Sequence, residues 1–211
     1  MATEARDLPD GPDQPWRDPV DGTLETYEAR ASLYAAHDRG RHAAFVAFLD
    51  TFAALAGDGC VLELGSGPGR DADYLEGKGL RVIRTDAAAS FVEMMRAAGH
   101  DARQLDVRTD DFGGPHNAVL ADAVLLHLTR RQLEDVLRRL RAAIRDGGLL
   151  AFTVKQGTGE GWTTEKLGRP RYFVYWQEDA LREVLSRTGW TVSSLEHSAG
   201  PTDDWLQVIA R

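Results

Sequence analysis

The sequence predicts an α/β protein: a mostly parallel sheet with helices on both faces and a last strand running antiparallel. Three observations predict it. Strand-like apolar runs alternate with helical stripes along most of the 211 residues. The run Val61-Leu62-Glu63-Leu64 passes through Gly65, Gly67 and Gly69, glycines at every second position, into helix-compatible sequence from Asp71. Seven runs have strand character, and the last two are separated only by a short polar segment.

Taken in chain order, residues 1–22 hold four of the eight prolines among aspartates and glycines, which predicts a flexible tail with Trp16 as its one apolar anchor. The domain proper is expected over 23–211. Leu24, Tyr27, Ala31 and Tyr34 share one face of a first helix. Phe45, Phe48, Leu49, Phe52 and Leu55 form a stronger stripe on a second. The second helix is expected to pack on the sheet. The first has a thinner face and suits a lid, or else its tyrosines pack with their hydroxyls in water.

The strand ending at Leu64 then meets the glycines. Such a turn brings backbone N–H groups close to a ligand with no side chain in the way. A dinucleotide loop wants a third glycine where Arg70 stands, and a P-loop wants a Gly-Lys-Ser/Thr ending that Arg70-Asp71 does not supply. Glu63 is unfavourable beside a pyrophosphate and suits a cofactor with a cationic amino group. Glu63-Leu64-Gly65-Ser66-Gly67-Pro68-Gly69 resembles the first motif of class I S-adenosylmethionine (SAM) dependent methyltransferases. The resemblance spans about residues 24–210 and is most specific from Val61 to Gly148. It implies a seven-stranded Rossmann-like sheet, SAM as methyl donor and S-adenosylhomocysteine (SAH) as product. It also implies cofactor contacts from Glu63, Gly65, Ser66, Gly67, Asp86, Ala87, Asp106, Val107 and Ala121. Tyr27 and Tyr34 would close over the sulfonium, as N-terminal tyrosines do in many small-molecule members. The branch it is most similar to is the compact one of quinone and secondary-metabolite biosynthesis.

The remaining elements follow from pattern. Leu80 to Thr85 reads as the second strand. Asp86, at its end, can accept both ribose hydroxyls of an adenosine. Ser90 and Glu93 have capping-box spacing, so a helix is expected to start at Ser90. Asp101–Leu105 is the third strand. Asp106 can accept from an adenine amino group, and the Val107 N–H can donate to a ring nitrogen. His116–Ala123 is the fourth strand. Thr129 and Gln132 form a second capping box, opening a helix that buries Leu133, Val136, Leu137, Leu140 and Ile144. Gly147-Gly148 is expected to end it. Leu149–Val154 is the fifth strand, followed by a glycine-rich loop and a substrate-side insertion over Trp162–Phe173. Glu178–Arg187 is a helix, and Trp190–Leu195 and Trp205–Ile209 are the last strands.

Methyl transfer from a sulfonium is an in-line displacement, which needs alignment and, for some acceptors, a place for one proton. His127 is the candidate base, because an ordinary imidazole titrates near neutrality, or it caps the following helix. Trp162 and Tyr172 lean toward a substrate pocket, Tyr175 and Trp176 toward structure. His197 and Trp205 flank the last turn, at the mouth of the cleft, and Asp203-Asp204 reads as a turn. A metal-assisted site would need oxygen ligands after strands four and five. Asp122 fits the first place, but Lys155-Gln156 does not fill the second, so no metal is expected.

Net charge is −8, which argues against a broad phosphate-backbone surface and makes nucleic acid an unlikely partner. Cys60 is the only cysteine, so no intrachain disulfide forms, in keeping with a cytoplasmic setting. No apolar stretch spans a bilayer, and the polar N-terminus has no signal-peptide pattern. The expected function is methylation of an oxygen or nitrogen of a small molecule. The competing readings are a peptide terminus or tRNA base as acceptor, or a SAM-binding protein without catalysis. Oligomeric state leaves no readable signal.

Overall fold

A computed structural model describes residues 18–37 and 40–211. Its elements, in order, are α1 (Pro19–Ala36), α2 (Ala43–Ala56), β1 (Cys60–Glu63), α3 (Arg70–Gly77), β2 (Arg81–Asp86), α4 (Ala89–Ala97), β3 (Ala102–Gln104) and β4 (His116–Ala121). A single 3-10 turn (Leu125–His127) follows, then α5 (Arg130–Ala143), β5 (Ile144–Lys155), β6 (Glu160–Thr163), β7 (Arg171–Val174), α6 (Glu178–Arg187), β8 (Val192–Ala199) and β9 (Asp204–Ala210).

Seven strands form one sheet in the order β3-β2-β1-β4-β5-β9-β8. The first five are mutually parallel, and β9 pairs antiparallel with both β5 and β8. The period-2 alternation of the central strands assigns their side chains to two layers. Leu62, Val119, Leu150 and Phe152 pack with Leu133, Val136 and Leu137 of α5 and Leu181 and Leu185 of α6. Val61, Ala118, Leu120 and Ala151 pack with Phe48, Leu49 and Phe52 of α2. Helices therefore cover both faces, as such strands, apolar on both sides, require. Strand order reverses between β1 and β4, and that is where a crevice opens at the carboxyl ends.

Several expectations change in detail. The N-terminal helix begins at Pro19, so it takes up the last four residues assigned to the tail. Asp18 is its N-cap, with Oδ1 accepting from the Val20 N–H at 2.9 Å, and proline suits the first helical position. Trp16 lies outside the described residues. The helix after β2 starts at Ala89, and Ser90 does not cap it; the Ser90 hydroxyl is buried without a partner. Its N-terminal amides, from Ala89 and Ser90, donate instead to the Glu28 carboxylate of α1. The box of Thr129 and Gln132 forms as read. Helix α5 ends at Ala143, before Gly147-Gly148. The pair lies in the irregular start of β5, where a Cβ on Gly148 would meet the Asn117 carbonyl oxygen at 2.8 Å. The segment after β5 is an antiparallel hairpin, β6–β7, pairing Trp162 with Tyr172.

Candidate active site

The glycine turn follows β1 directly. Gly65, Gly67 and Gly69 have φ of 64°, 54° and 89°, a region costly for other residues. Two of them, Gly65 and Gly69, are also crowded. A Cβ on Gly65 would strike Val124, and one on Gly69 would lie 2.6 Å from Arg84 Nη1. Arg84 is a buried guanidinium inside β2. It donates to the Gly69 carbonyl at 2.9 Å and to Asp73 and Glu76 of α3 at 2.7 Å each, so it fixes the exit of the turn.

Asp86 closes β2 facing that turn. Its Oδ2 accepts from the Gly67 N–H at 2.8 Å and its Oδ1 from the Ala88 N–H at 2.8 Å. Burial pushes its carboxyl up to about 6 despite these bonds. Glu63 is 3% exposed, and its Oε2 has no partner. Burial raises its pKa to about 8. Asp122, just past β4, accepts from Thr153 Oγ1 at 2.6 Å. Burial first, then the nearby Asp71, raises it to about 7.

Two cavities meet at this end of the sheet. One is lined by Asp86, Ala87, Phe91, Asp106 and Val107, the other by Arg70, Asp71, Lys155, Arg171, Phe173 and Trp205. Tyr27, Tyr34, Gly65, Gly67, Asp122 and His127 line both. Ser66 lines the second. The structure thus brings together Tyr27, Tyr34, Gly65, Ser66, Gly67, Asp86, Ala87, Asp106, Val107 and His127. Ala121 is different: it is fully buried in β4, and its successors Asp122 and Ala123 reach the cavities instead.

Trp162 and Tyr172 correct the sequence reading. They stack edge-to-face on each other, with centroids 5.5 Å apart, and line neither cavity. Strand alternation is the reason: Arg171 and Phe173 of β7 take the cavity face, so Tyr172 takes the other. Trp176 is core, and His197 bonds Glu178 and Gln156 rather than facing the cleft. Trp205 does face it.

His127 is buried between two partners. Nδ1 lies 2.6 Å from the Tyr172 carbonyl oxygen and Nε2 3.0 Å from the Tyr27 hydroxyl. A carbonyl only accepts, so Nδ1 carries the proton, and Nε2 accepts from Tyr27. Burial lowers the ring to about 3, helped by Arg171 and Lys155. The near-neutral titration that made His127 a candidate base is therefore absent. Asp106 is likewise committed, with its carboxylate gripped by Arg108, which also reaches Asp18 at 3.1 Å and Asp21 at 2.8 Å on α1. That pairing holds its carboxyl below the usual range, although burial works the other way.

Helix α1 is thus tied down along its whole length. Besides these links, the Tyr172 N–H donates to Thr23 Oγ1, Thr26 Oγ1 donates to the Pro170 carbonyl, and Arg70 donates to the Ala35 carbonyl. Sequence reasoning missed Glu28, Thr153 and Arg171, because each acts on residues far away in the chain, and Arg108, which joins its near neighbour Asp106 to the distant Asp18 and Asp21. Arg84 alone left a local signal, a charge inside an apolar strand.

The residues fit the donor that the motif implies. Glu63 lines neither cavity but keeps one buried oxygen unpaired at the start of the glycine turn, and Asp86, whose two oxygens each accept one backbone N–H, lines the first cavity. The only grouping with metal-ligand spacing among the described residues is Asp73, Glu76 and His100, and Arg84 already binds its two carboxylates.

The chain matches the model of the methyltransferase domain family over residues 34–195. Nothing among curated proteins matches it. Among solved structures, DhpI in complex with SAH is 27% identical, with a TM-score of 0.69, covering 93% of this chain and 98% of that one. The 1,6-didemethyltoxoflavin-N1-methyltransferase of Burkholderia thailandensis, with acceptor and SAH bound, is 21% identical, with a TM-score of 0.70 and coverage of 95% and 92%. The glycopeptide N-methyltransferase MtfA with SAM shares the fold at 16% identity, a TM-score of 0.64 and coverage of 83% and 89%. With a glycine turn, an acidic residue closing β2 and a family match over most of its length, the chain belongs to the methyltransferase domain family and is a class I SAM-dependent methyltransferase.

Proposed function

We propose that this methyltransferase acts on an oxygen or nitrogen of a small molecule held in the cavity between α1, the β6–β7 hairpin and the β8–β9 turn. One observation carries the reading: the two cavities join at Tyr27, Tyr34, Asp122 and His127, beneath a helix anchored at both ends. A chamber roofed in this way suits a small acceptor better than a polymer. Similar enzymes whose names state a small acceptor, such as the toxoflavin one, support it.

When bound, SAM supplies a methyl made electrophilic by its sulfonium. The residues of this chain do the rest. The turn from Gly65 to Gly69 and the Glu63 carboxylate would hold the methionine end, Asp86 and Ala87 the ribose, and Val107 and Asp106 the adenine. Asp122, Tyr27 and Tyr34 would supply the carboxylate and aromatic faces that favour a cation. His127 acts as a positioning residue: its fixed tautomer orients the Tyr27 hydroxyl toward the junction. Water is excluded by α1. No metal is assigned a role, and a cytoplasmic location belongs to the same reading.

The test is incubation of the protein with SAM and a panel of small phenols, amines and oxyacids, read by mass spectrometry for one added methyl and for SAH. Turnover of a small acceptor is the expected result. Turnover confined to peptide or tRNA, or SAM binding with no transfer to any acceptor class, would reject the proposal.

A further inference from the structure

Arg171 is the outstanding group in the acceptor cavity. It is 6% exposed, on the cavity face of β7. Of the five N–H donors of a guanidinium, one reaches the Glu165 carbonyl at 2.7 Å and one the Tyr27 hydroxyl at 3.3 Å. The Nε–H is buried with no partner. No carboxylate of the described residues forms an ion pair with it. Two other cations of the cavity have carboxylate partners: Arg41 pairs with Asp71 at 3.1 Å and Lys155 with Asp203 at 2.9 Å, while Arg70 reaches the cavity from α3 and donates to the Ala35 carbonyl. Asp122 lies on the other side, where the two cavities join.

A buried cation without a counter-charge is costly, and supplying an anion relieves that cost. The planar fork of arginine matches two oxygens of one acid group. We propose that the acceptor bears an oxyacid anion, a carboxylate or a phosphonate, and that Arg171 receives it beside Tyr27. This rests on the reading of that cavity as the acceptor chamber. The guanidinium then anchors the acceptor, and its position on β7 sets which atom faces the methyl. It is a specificity determinant of this chain, read from an unpaired donor and its burial.

The experiment is calorimetry on protein saturated with SAH, titrated with phenylacetate, phenylphosphonate and the neutral phenylacetamide. At least one anion is expected to bind roughly tenfold or more tighter than the amide, a typical charge-assisted margin. The tighter anion identifies the acid class. Arg171→Gln should remove that preference while leaving SAH affinity within about twofold, and Arg171→Lys should restore part of it. The proposal is overturned if the amide binds as well as both anions, or if neither anion binds. It also falls if Arg171→Gln leaves anion binding intact or lowers SAH affinity equally, which would assign the guanidinium to the cofactor carboxylate. The wild-type comparison decides even if the variants fail to fold. Anion preference is read without turnover, so its failure leaves the methyl-transfer reading standing, and absent turnover leaves the preference measurable.

Discussion

Glu63 holds its carboxyl inside the protein with one oxygen unpaired, a poor arrangement for stability on its own. Its pKa is raised to about 8 because the charged form is desolvated. In the unfolded chain the same group ionises near pH 4, so folding is opposed increasingly as pH rises from there toward 8. Glu63→Gln removes this penalty. The free protein is expected to melt several degrees higher at pH 8 and little differently at pH 4, while SAM affinity drops about tenfold or more through loss of the charge partner. Scanning calorimetry and equilibrium binding check the two halves. An unchanged SAM affinity would remove Glu63 from the cofactor site. The same logic explains why His127 is a poor base: with its Nε2 engaged and its pKa near 3, it holds Tyr27 rather than taking protons.

Helix α1 illustrates how an element with a weak apolar stripe is held by polar contacts at its margins. Glu28 caps α4 through the Ala89 and Ser90 amides, a charge placed at the positive end of a helix. Arg108 ties Asp18 and Asp21 to Asp106. Glu28→Ala is expected to cost about 1 kcal/mol and to speed hydrogen exchange of the Ala89 and Ser90 amides, measured by NMR, without changing exchange in β1 or β4. Arg108→Ala is expected to release the start of α1. SAM would dissociate faster, on stopped-flow displacement, more than it would associate slower, because the helix covers a cavity that the sheet has already formed. An unchanged dissociation rate would show that α1 is no lid.

The whole molecule gathers four carboxyls with raised pKa at one end of the sheet: Asp86 at about 6, Asp122 at about 7, Glu63 at about 8, and Asp71, which burial also pushes up. Each binds a proton in the folded protein that its unfolded counterpart has already lost. Stability of the free protein is therefore expected to fall from about pH 4, where the unfolded carboxyls ionise, to about pH 8, most steeply below about pH 6. A cationic ligand favours the ionised forms, so binding SAM releases protons, and its affinity should rise with pH across the same window, by roughly tenfold per proton per unit. SAH lacks the sulfonium charge and should show a shallower slope. Calorimetry at pH 6, 7 and 8 in buffers of different ionisation enthalpy measures both. A flat SAM profile would mean that these groups do not face the donor.

The alternation of strand and helix, the sheet content, the glycine turn and the acidic end of β2 were all legible in the residues, because local periodicity and backbone conformation depend on near neighbours. Glycine at 65, 67 and 69 follows from left-handed φ, and the box of Thr129 and Gln132 from three-residue spacing. The cap on α4 was misread as Ser90, because the true partner, Glu28, lies about sixty residues earlier. Trp162 and Tyr172 carried the right composition for a pocket, but the pairing of β6 with β7 set which face they occupy, and that face is away from the cavity. His127 was found, but its charge state was not, since burial and the Tyr172 carbonyl come from elsewhere in the chain. Pattern specifies the kind of element and its turn. Tertiary packing alone sets which way a strand faces, what a buried charge meets and where a proton sits, because those depend on the dielectric and on groups that only the folded chain brings together.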